Sequence, residues 1–232
     1  MKYRIADLNV EMEPDETTKV QAKKYIYDFE KKDIDVVPGS YEKYKSIPRD
    51  YEFKYYQYLS CGREFYKKLL DYNGIMLHAS AVVVDDKAYL FSAPCGTGKS
   101  THTGLWLELF GDRAYILNDD KPAIRVMDDG IYAYGTPFSG KHDISENKKV
   151  KLQGICFIER SEKNYISPMD TVMAISRLHH ASTRNLPAEK LIRELEVIDK
   201  IVKKIPIWKM GCLPDFDAVQ LAYRTMSNKE VK

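Results

Sequence analysis

One short run of the chain carries most of its chemical information: Ser92-Ala93-Pro94-Cys95-Gly96-Thr97-Gly98-Lys99-Ser100-Thr101. These residue types at this spacing suit the holding of a chain of phosphates. Gly96 and Gly98 lack side chains, so the backbone can curl and turn its N–H groups inward. Lys99 supplies a positive charge for the outer phosphates, and the Ser100 hydroxyl can ligate Mg²⁺. The expected nucleotide-binding stretch is Pro94, Cys95, Gly96, Thr97, Gly98, Lys99, Ser100 and Thr101. Ala93 stands where loops of this kind usually begin with Gly, a small change at a strand end. Cys95 is expected to fill a small space beside the nucleotide.

Phosphoryl transfer needs more than a phosphate cradle. It needs a metal, charge neutralisation and a group that deprotonates the acceptor. Asp119-Asp120 follows a short apolar stretch soon after the loop. Brought beside Ser100, one carboxylate can hold Mg²⁺ and the other can accept a hydroxyl proton. The plainer alternative is a pair of exposed turn aspartates. His78 interrupts an apolar run and is either a hydrogen-bonded core histidine or a ring facing the reacting phosphate. Residues 135–143 mix small residues, hydroxyls and one lysine. They read as a second anion-contacting loop in which Lys141 neutralises charge during transfer, or as an ordinary hairpin loop. His102 is expected to contact nucleotide or solvent, and His179 and His180 to lie on the surface.

The elements that must position these groups are legible in outline. Residues 87–91 are apolar and aromatic, as a buried strand feeding the loop should be. Leu105, Trp106, Leu109 and Phe110 fall at helical spacing behind the loop, and Gly111-Asp112 ends that helix. The helix N-terminus adds partial positive charge to the phosphate site. Residues 75–84 read as one buried strand next to the loop strand, followed by a tight turn at 85–87. A further strand is expected over 114–117, a hairpin over 124–134 around Asp128-Asp129-Gly130, and a strand over 152–158. Residues 135–147 are a polar loop. Helices are expected over 169–180, 188–204 and 215–226, with a frayed end over 227–232.

The chain divides near Asn73-Gly74 into a Tyr-rich α+β region (1–73) and a phosphate-loop domain (74–232). Strands are expected over 3–10, 24–29 and 34–37, a turn at Pro38-Gly39 and a helix over 51–72. The tyrosines read as packing on a small sheet with their hydroxyls in water, the alternative being a sticky partner surface.

Composition sets wider bounds. A chain of 232 residues can bury a proper core, and 44% hydrophobic with 30% charged residues is ordinary for a globular protein. A formal net charge of +2 argues against a nucleic-acid partner held by a basic face. Cys61, Cys95, Cys156 and Cys212 form no C-x-x-C pair, so neither a zinc site nor a disulfide framework is signalled. No apolar segment suits a signal peptide or a membrane span, and the expected location is the cytoplasm.

Taken in order, Leu77-His78-Ala79, Gly96-Thr97-Gly98-Lys99-Ser100 and Asp119-Asp120 resemble the HPr kinase/phosphorylase superfamily, which shares its nucleotide site with ATP-dependent phosphoenolpyruvate carboxykinase. The likeness spans 75–120. It implies an α/β fold with a P-loop kinase core, a mixed sheet with hairpins and flanking helices, behind a small N-terminal α+β region. By the same resemblance, the family's strand histidine falls on His78, its loop lysine on Lys99, its metal-binding hydroxyl on Ser100 and its general base on Asp120. That leaves Asp119 to share the metal with Ser100. The family's downstream arginine has two candidates, Arg160 and Arg184. The expected activity is ATP- and Mg²⁺-dependent transfer of the terminal phosphoryl group to a serine-like hydroxyl of a peptide, protein or small molecule. Members of this superfamily often form homo-oligomers. Two other readings are a non-catalytic nucleotide-binding regulator and a carboxykinase-like lyase.

Overall fold

The structure is a computed structural model that describes residues 1–37 and 53–229. The expected turn at Pro38-Gly39, the start of the expected 51–72 helix and residues 230–232 lie outside these.

The front of the chain differs in detail from its pattern. The expected strand over 3–10 is a hairpin of β1 (Lys2–Ile5) and β2 (Leu8–Met12). Ala6 and Asp7 turn it with φ of 52° and 60°, a conformation that two-residue hairpins require and that Gly or Asn usually signals. A short helix, α1 (Glu16–Gln21), was not expected; Asp15 caps it, its carboxylate accepting from the amides of Thr17 and Thr18. Residues 24–29 are not a strand. They hold a 3₁₀ turn (Lys23–Tyr25) and a single bridge from Ile26 to Tyr3. β3 (Ile34–Val36) pairs in parallel with β2, and α2 (Phe53–Leu69) lies behind. Tyr3, Tyr25, Phe65 and Tyr66 are buried together with Ala123, Tyr134 and Phe138. The tyrosines therefore pack in a core that runs on past residue 74.

The expected single strand over 75–84 is two strands. β4 (Gly74–Met76) and β5 (Ala79–Val84) pair with different partners, with Leu77 and His78 crossing between them. A nearly continuous apolar run hides such a change because no Gly, Pro, Asn or Asp stands between the two strands. β6 (Lys87–Ser92) leads into α3 (Lys99–Phe110), and β7 (Ala114–Asn118) follows. The expected hairpin is β8 (Ala123–Met127) and β9 (Gly130–Tyr134). β10 (Lys149–Arg160) is longer than expected. β11 (Tyr165–Pro168), α4 (Thr171–His180), α5 (Ala188–Val202), β12 (Ile207–Cys212) and α6 (Phe216–Ser227) complete the chain. The two short strands among these were not anticipated.

These strands make one curled mixed sheet with helices on both faces. β10 is its hub: parallel to β6 and to β12, antiparallel to β9. From β6 the sheet runs to β5 and β7, from β9 to β8 and β4, and from β12 to β11. β5 shows why it sits inside. Its odd positions Ala79, Ala81 and Val83 join a core with Leu178, Val197, Ile198 and Ile201 of α4 and α5. Its even positions Val82 and Val84 join Trp106, Phe110, Val219 and Tyr223 of α3 and α6. Alternation by two thus feeds both helical layers. Trp106 is fully buried, with the Tyr89, Phe91, Phe110 and Tyr223 rings 4.7–6.1 Å from one another or from it. Among the described residues no helix is long and apolar enough to cross a membrane.

Candidate functional site

The site lies where β6 and β7 end and β5 begins. The Gly-Lys-Ser loop joins β6 to α3. Gly96 and Gly98 have φ of +77° and +119°, and a Cβ on either would meet nothing within 4 Å. Their lack of a side chain therefore serves the backbone turn and open space, not local packing. Within the loop the Thr97 amide bonds the Pro94 carbonyl at 3.3 Å, and in α3 the first amide bonded back is that of His102, on the Gly98 carbonyl at 2.9 Å. The amides of Lys99, Ser100 and Thr101 precede it and stand outside the helical ladder. Gly98 caps α3 with no side-chain hydrogen bond.

Lys99 is buried and curls over its own loop, donating to the Ala93 carbonyl at 2.9 Å and the Pro94 carbonyl at 3.4 Å. Burial lowers its pKa below the usual lysine value, against the opposing pull of Cys95, Asp120 and Asp119. Arg160 holds the loop from outside, donating from Nη2 to the Gly96 carbonyl at 2.7 Å. Pro94, Cys95, Ser100 and Thr101 are exposed, and Thr97 is partly so.

Asn118 sets the acid pair. Its buried side-chain oxygen accepts from the amides of Asp120 at 3.0 Å and Lys121 at 2.7 Å. Its Nδ2 donates to the Thr136 carbonyl at 2.9 Å. An Asx turn so pinned fixes both carboxylates at the end of β7. Asp119 Oδ1 accepts from the Ser80 hydroxyl at 2.6 Å, and Ser80 in turn contacts Thr103 of α3 at 2.8 Å. Asp120 faces two other groups: Oδ1 lies 3.4 Å from His78 Nε2, and Oδ2 pairs with the Lys121 ammonium.

The strand change explains the place of His78. Its amide bonds the Ala181 carbonyl at 2.8 Å, while the amides of Leu77 and Ala79 bond the carbonyls of Pro122 and Asp120. The crossing segment is thus laced to the acid turn on one side and to the end of α4 on the other. Burial pushes the His78 pKa below the ordinary value, helped by Lys99, Lys121 and Arg184 and opposed by Asp120. The ring is therefore mainly neutral at pH 7.

Residues 135–148 return along β7. The Asp119 amide bonds the Ile144 carbonyl, and Ser145 bridges Asn118. Gly135 is needed for this: a Cβ there would lie 1.8 Å from the Glu146 carbonyl oxygen and 2.7 Å from that of Leu117. The front region clamps the same loop. Gln21 donates to the Gly140 carbonyl at 2.8 Å, and Tyr58 accepts from the Gly140 amide at 3.1 Å. Lys141 is exposed on this loop.

The result is a cavity of about 430 Å³ lined by Gly96, Gly98, Lys99, Ser100, Thr101, Cys95, His78, Asp119, Asp120 and Lys141. Pro94 and Thr97 line neighbouring clefts instead. Asp119 Oδ2 and the Ser100 hydroxyl accept or donate no hydrogen bond among the described residues. These are two hard oxygen donors, and Mg²⁺ asks of a protein only one or two such ligands beside phosphates and water. The open glycine backbone, outward amides and buried ammonium likewise fit a polyphosphate. Among the described residues no three His, Cys, Asp or Glu side chains gather as metal ligands.

Two histidine expectations change. His102 does not face solvent. It is buried against Phe91, and its Nε2 accepts from the Trp106 indole at 3.1 Å. His179 is not a bare surface group: its Nδ1 lies 2.6 Å from the fully buried Glu194 carboxylate. His180, although exposed, lines the mouth of the groove beside His78. Sequence reasoning missed Lys121, Tyr66, Ser80 and Tyr58. Only for Lys121 was a signal present, its adjacency to the acid pair.

No protein-family model matches the chain, and no curated protein matches it. Among solved structures, similarity is found to an Hpr(Ser) kinase/phosphatase from Coxiella burnetii. It has 11% identity over 66% of this chain and 93% of that one, with a TM-score of 0.37. Superposition that loose carries neither a family nor a reaction to this chain.

Proposed function

We propose that the chain is an ATP- and Mg²⁺-dependent kinase that moves the terminal phosphoryl group to a serine-like hydroxyl on a peptide, protein or small molecule. One observation carries this reading. An open glycine loop with a buried lysine shares a cavity with a fixed acid pair and a histidine whose Nε2 lies 3.4 Å from one of the carboxylates.

Each group then has a physical task. The loop amides and the start of α3 bind the phosphate chain. Lys99 exchanges its two loop carbonyls for phosphate oxygens, a stronger, charge-assisted pairing. Ser100 and Asp119 would hold Mg²⁺, which supplies charge neutralisation across the outer phosphates when bound. Asp120 takes the acceptor's hydroxyl proton as that oxygen bonds to the terminal phosphorus and ADP leaves with the bridging electron pair. His78 and Lys121 orient the Asp120 carboxylate, and Lys141 offsets charge on the transferring group.

The test is transfer from labelled ATP by wild type and Asp120→Asn, across a panel of hydroxyl acceptors. Loss of transfer with ATP binding retained supports the assignment. An unaltered rate in the variant removes Asp120 from the base role.

A further inference from the structure

His78, Lys121 and Gly140 adjoin the Asp120 carboxylate. The part played by Gly140 follows from its backbone. Its φ is +77°, and a Cβ there would lie 3.1 Å from the Asp120 Cβ and 3.4 Å from Oδ2. Bare backbone therefore walls one side of the carboxylate.

Two of these neighbours are held by one side chain of the Tyr-rich front region, Tyr58 of α2. It is 3% exposed, with its ring 6.0 Å from that of Phe138. Its hydroxyl oxygen accepts from the Gly140 amide at 3.1 Å, and the Lys121 ammonium lies 6.0 Å from its ring centroid. Two further residues of the front region complete the grip. Gln21 donates to the Gly140 carbonyl at 2.8 Å, so both peptide groups around Gly140 are tied. Tyr66 donates to the Lys121 carbonyl, which ties the backbone behind the ammonium. Tyr58 also borders two cavities at once: the phosphate-side one, and another of about 600 Å³ that shares His78 and Asp120 with it. It stands where a phosphate and an acceptor would meet.

We infer that Tyr58 is a positioning residue: through Gly140 and Lys121 it fixes the direction in which the Asp120 carboxylate meets the incoming hydroxyl. The inference rests on the kinase reading above and makes α2 of the front region part of its machinery. The physical reason is orientation. A base that can turn away from the acceptor loses the advantage of a fixed geometry, and a displacement of about 1 Å costs on the order of 10²-fold in rate. Without the Tyr58 oxygen the Gly140 amide must find another partner, and the wall beside Asp120 moves with it.

The test uses Tyr58→Phe, which keeps the ring under Lys121 and removes only the oxygen. Transfer from labelled ATP, to the best acceptor of a hydroxyl panel or to water, gives the rate. The expected result is a kcat lower by roughly 10- to 100-fold, with ATP affinity, set by the loop amides and Lys99, retained. In an Asp120→Asn background the same change should leave the residual rate almost unaltered, because the group it positions is gone. An equal loss in both backgrounds overturns the inference, as does an unaltered kcat in Tyr58→Phe. A second readout does not need turnover. In protein labelled with ¹³C at the aspartate carboxyl groups, the Asp120 and Asp119 signals are identified by their absence from Asp120→Asn and Asp119→Asn. Tyr58→Phe should move the Asp120 signal and leave that of Asp119, which Ser80 holds, in place. Movement of neither signal, or of both alike, overturns the positioning role. A protein that turns over no ATP but shows the selective shift loses the kinase reading and keeps the positioning of Asp120 by Tyr58.

Discussion

Acid should loosen this protein through His102. The residue sits in the first turn of α3, 2% exposed, with its ring 4.6 Å from Phe91. Its Nε2 accepts from Trp106, which puts the proton of the neutral ring on Nδ1, itself buried without a partner. A second proton would break the Trp106 bond and bury a charge. Burial accordingly pushes the pKa down from 6.5 to about 4, with Asp215 pulling weakly the other way. Between these two values the unfolded chain binds more protons than the folded one, so stability rises with pH through that window. It is complete above the unfolded value and is lost as pH falls towards the folded one. From about pH 7.5 to about pH 5 the loss amounts to about 2 kcal/mol. Urea unfolding of wild type and His102→Gln at both pH values measures it; the glutamine carboxamide can still accept from Trp106. Wild type should lose about 2 kcal/mol more than the variant on acidification. Equal losses in the two proteins would refute the buried, neutral assignment.

Other perturbations have equally definite outcomes. Asp120→Asn should lower phosphoryl transfer by roughly 10²- to 10⁴-fold while ATP binding survives, as read by single-turnover kinetics. In Gly154→Ala the new Cβ would lie 2.4 Å from a Trp208 ring carbon, so chemical unfolding should show a loss of about 1–3 kcal/mol. Gly135→Ala should be worse, because the added carbon meets two backbone carbonyls that no rotamer can move aside. Its loop 135–148 should shift, and hydrogen exchange at Asp119 and Glu146, whose amides bond within that turn, should rise.

What the sequence could and could not disclose follows from the range of each interaction. The Gly-Lys-Ser loop, its strand and its helix are legible because one local stretch carries glycine, charge and helical periodicity together. β5, β6 and β10 are legible as apolar runs buried on both faces. β12 is not: Ile207–Cys212 is short, carries Lys209 and Gly211, and follows a proline, so only its pairing with β10 and β11 makes it a strand. The hairpin at Ala6-Asp7 lacks the residues that announce such turns. His78 was legible as an oddity, but its place beside Asp120 depends on a change of strand partner invisible in an apolar run. Tyr58, Tyr66 and Gln21 reach the site from the Tyr-rich front region across more than fifty residues, a distance over which no sequence period operates.

The grip on a triphosphate is the claim on which the other functional assignments depend, and calorimetric titration of ATP with Mg²⁺ tests it most directly. The prediction is saturable one-to-one binding that adenosine does not reproduce and that Lys99→Met or Gly98→Val abolishes. A wild-type protein that binds no ATP, or variants that bind as it does, would contradict it.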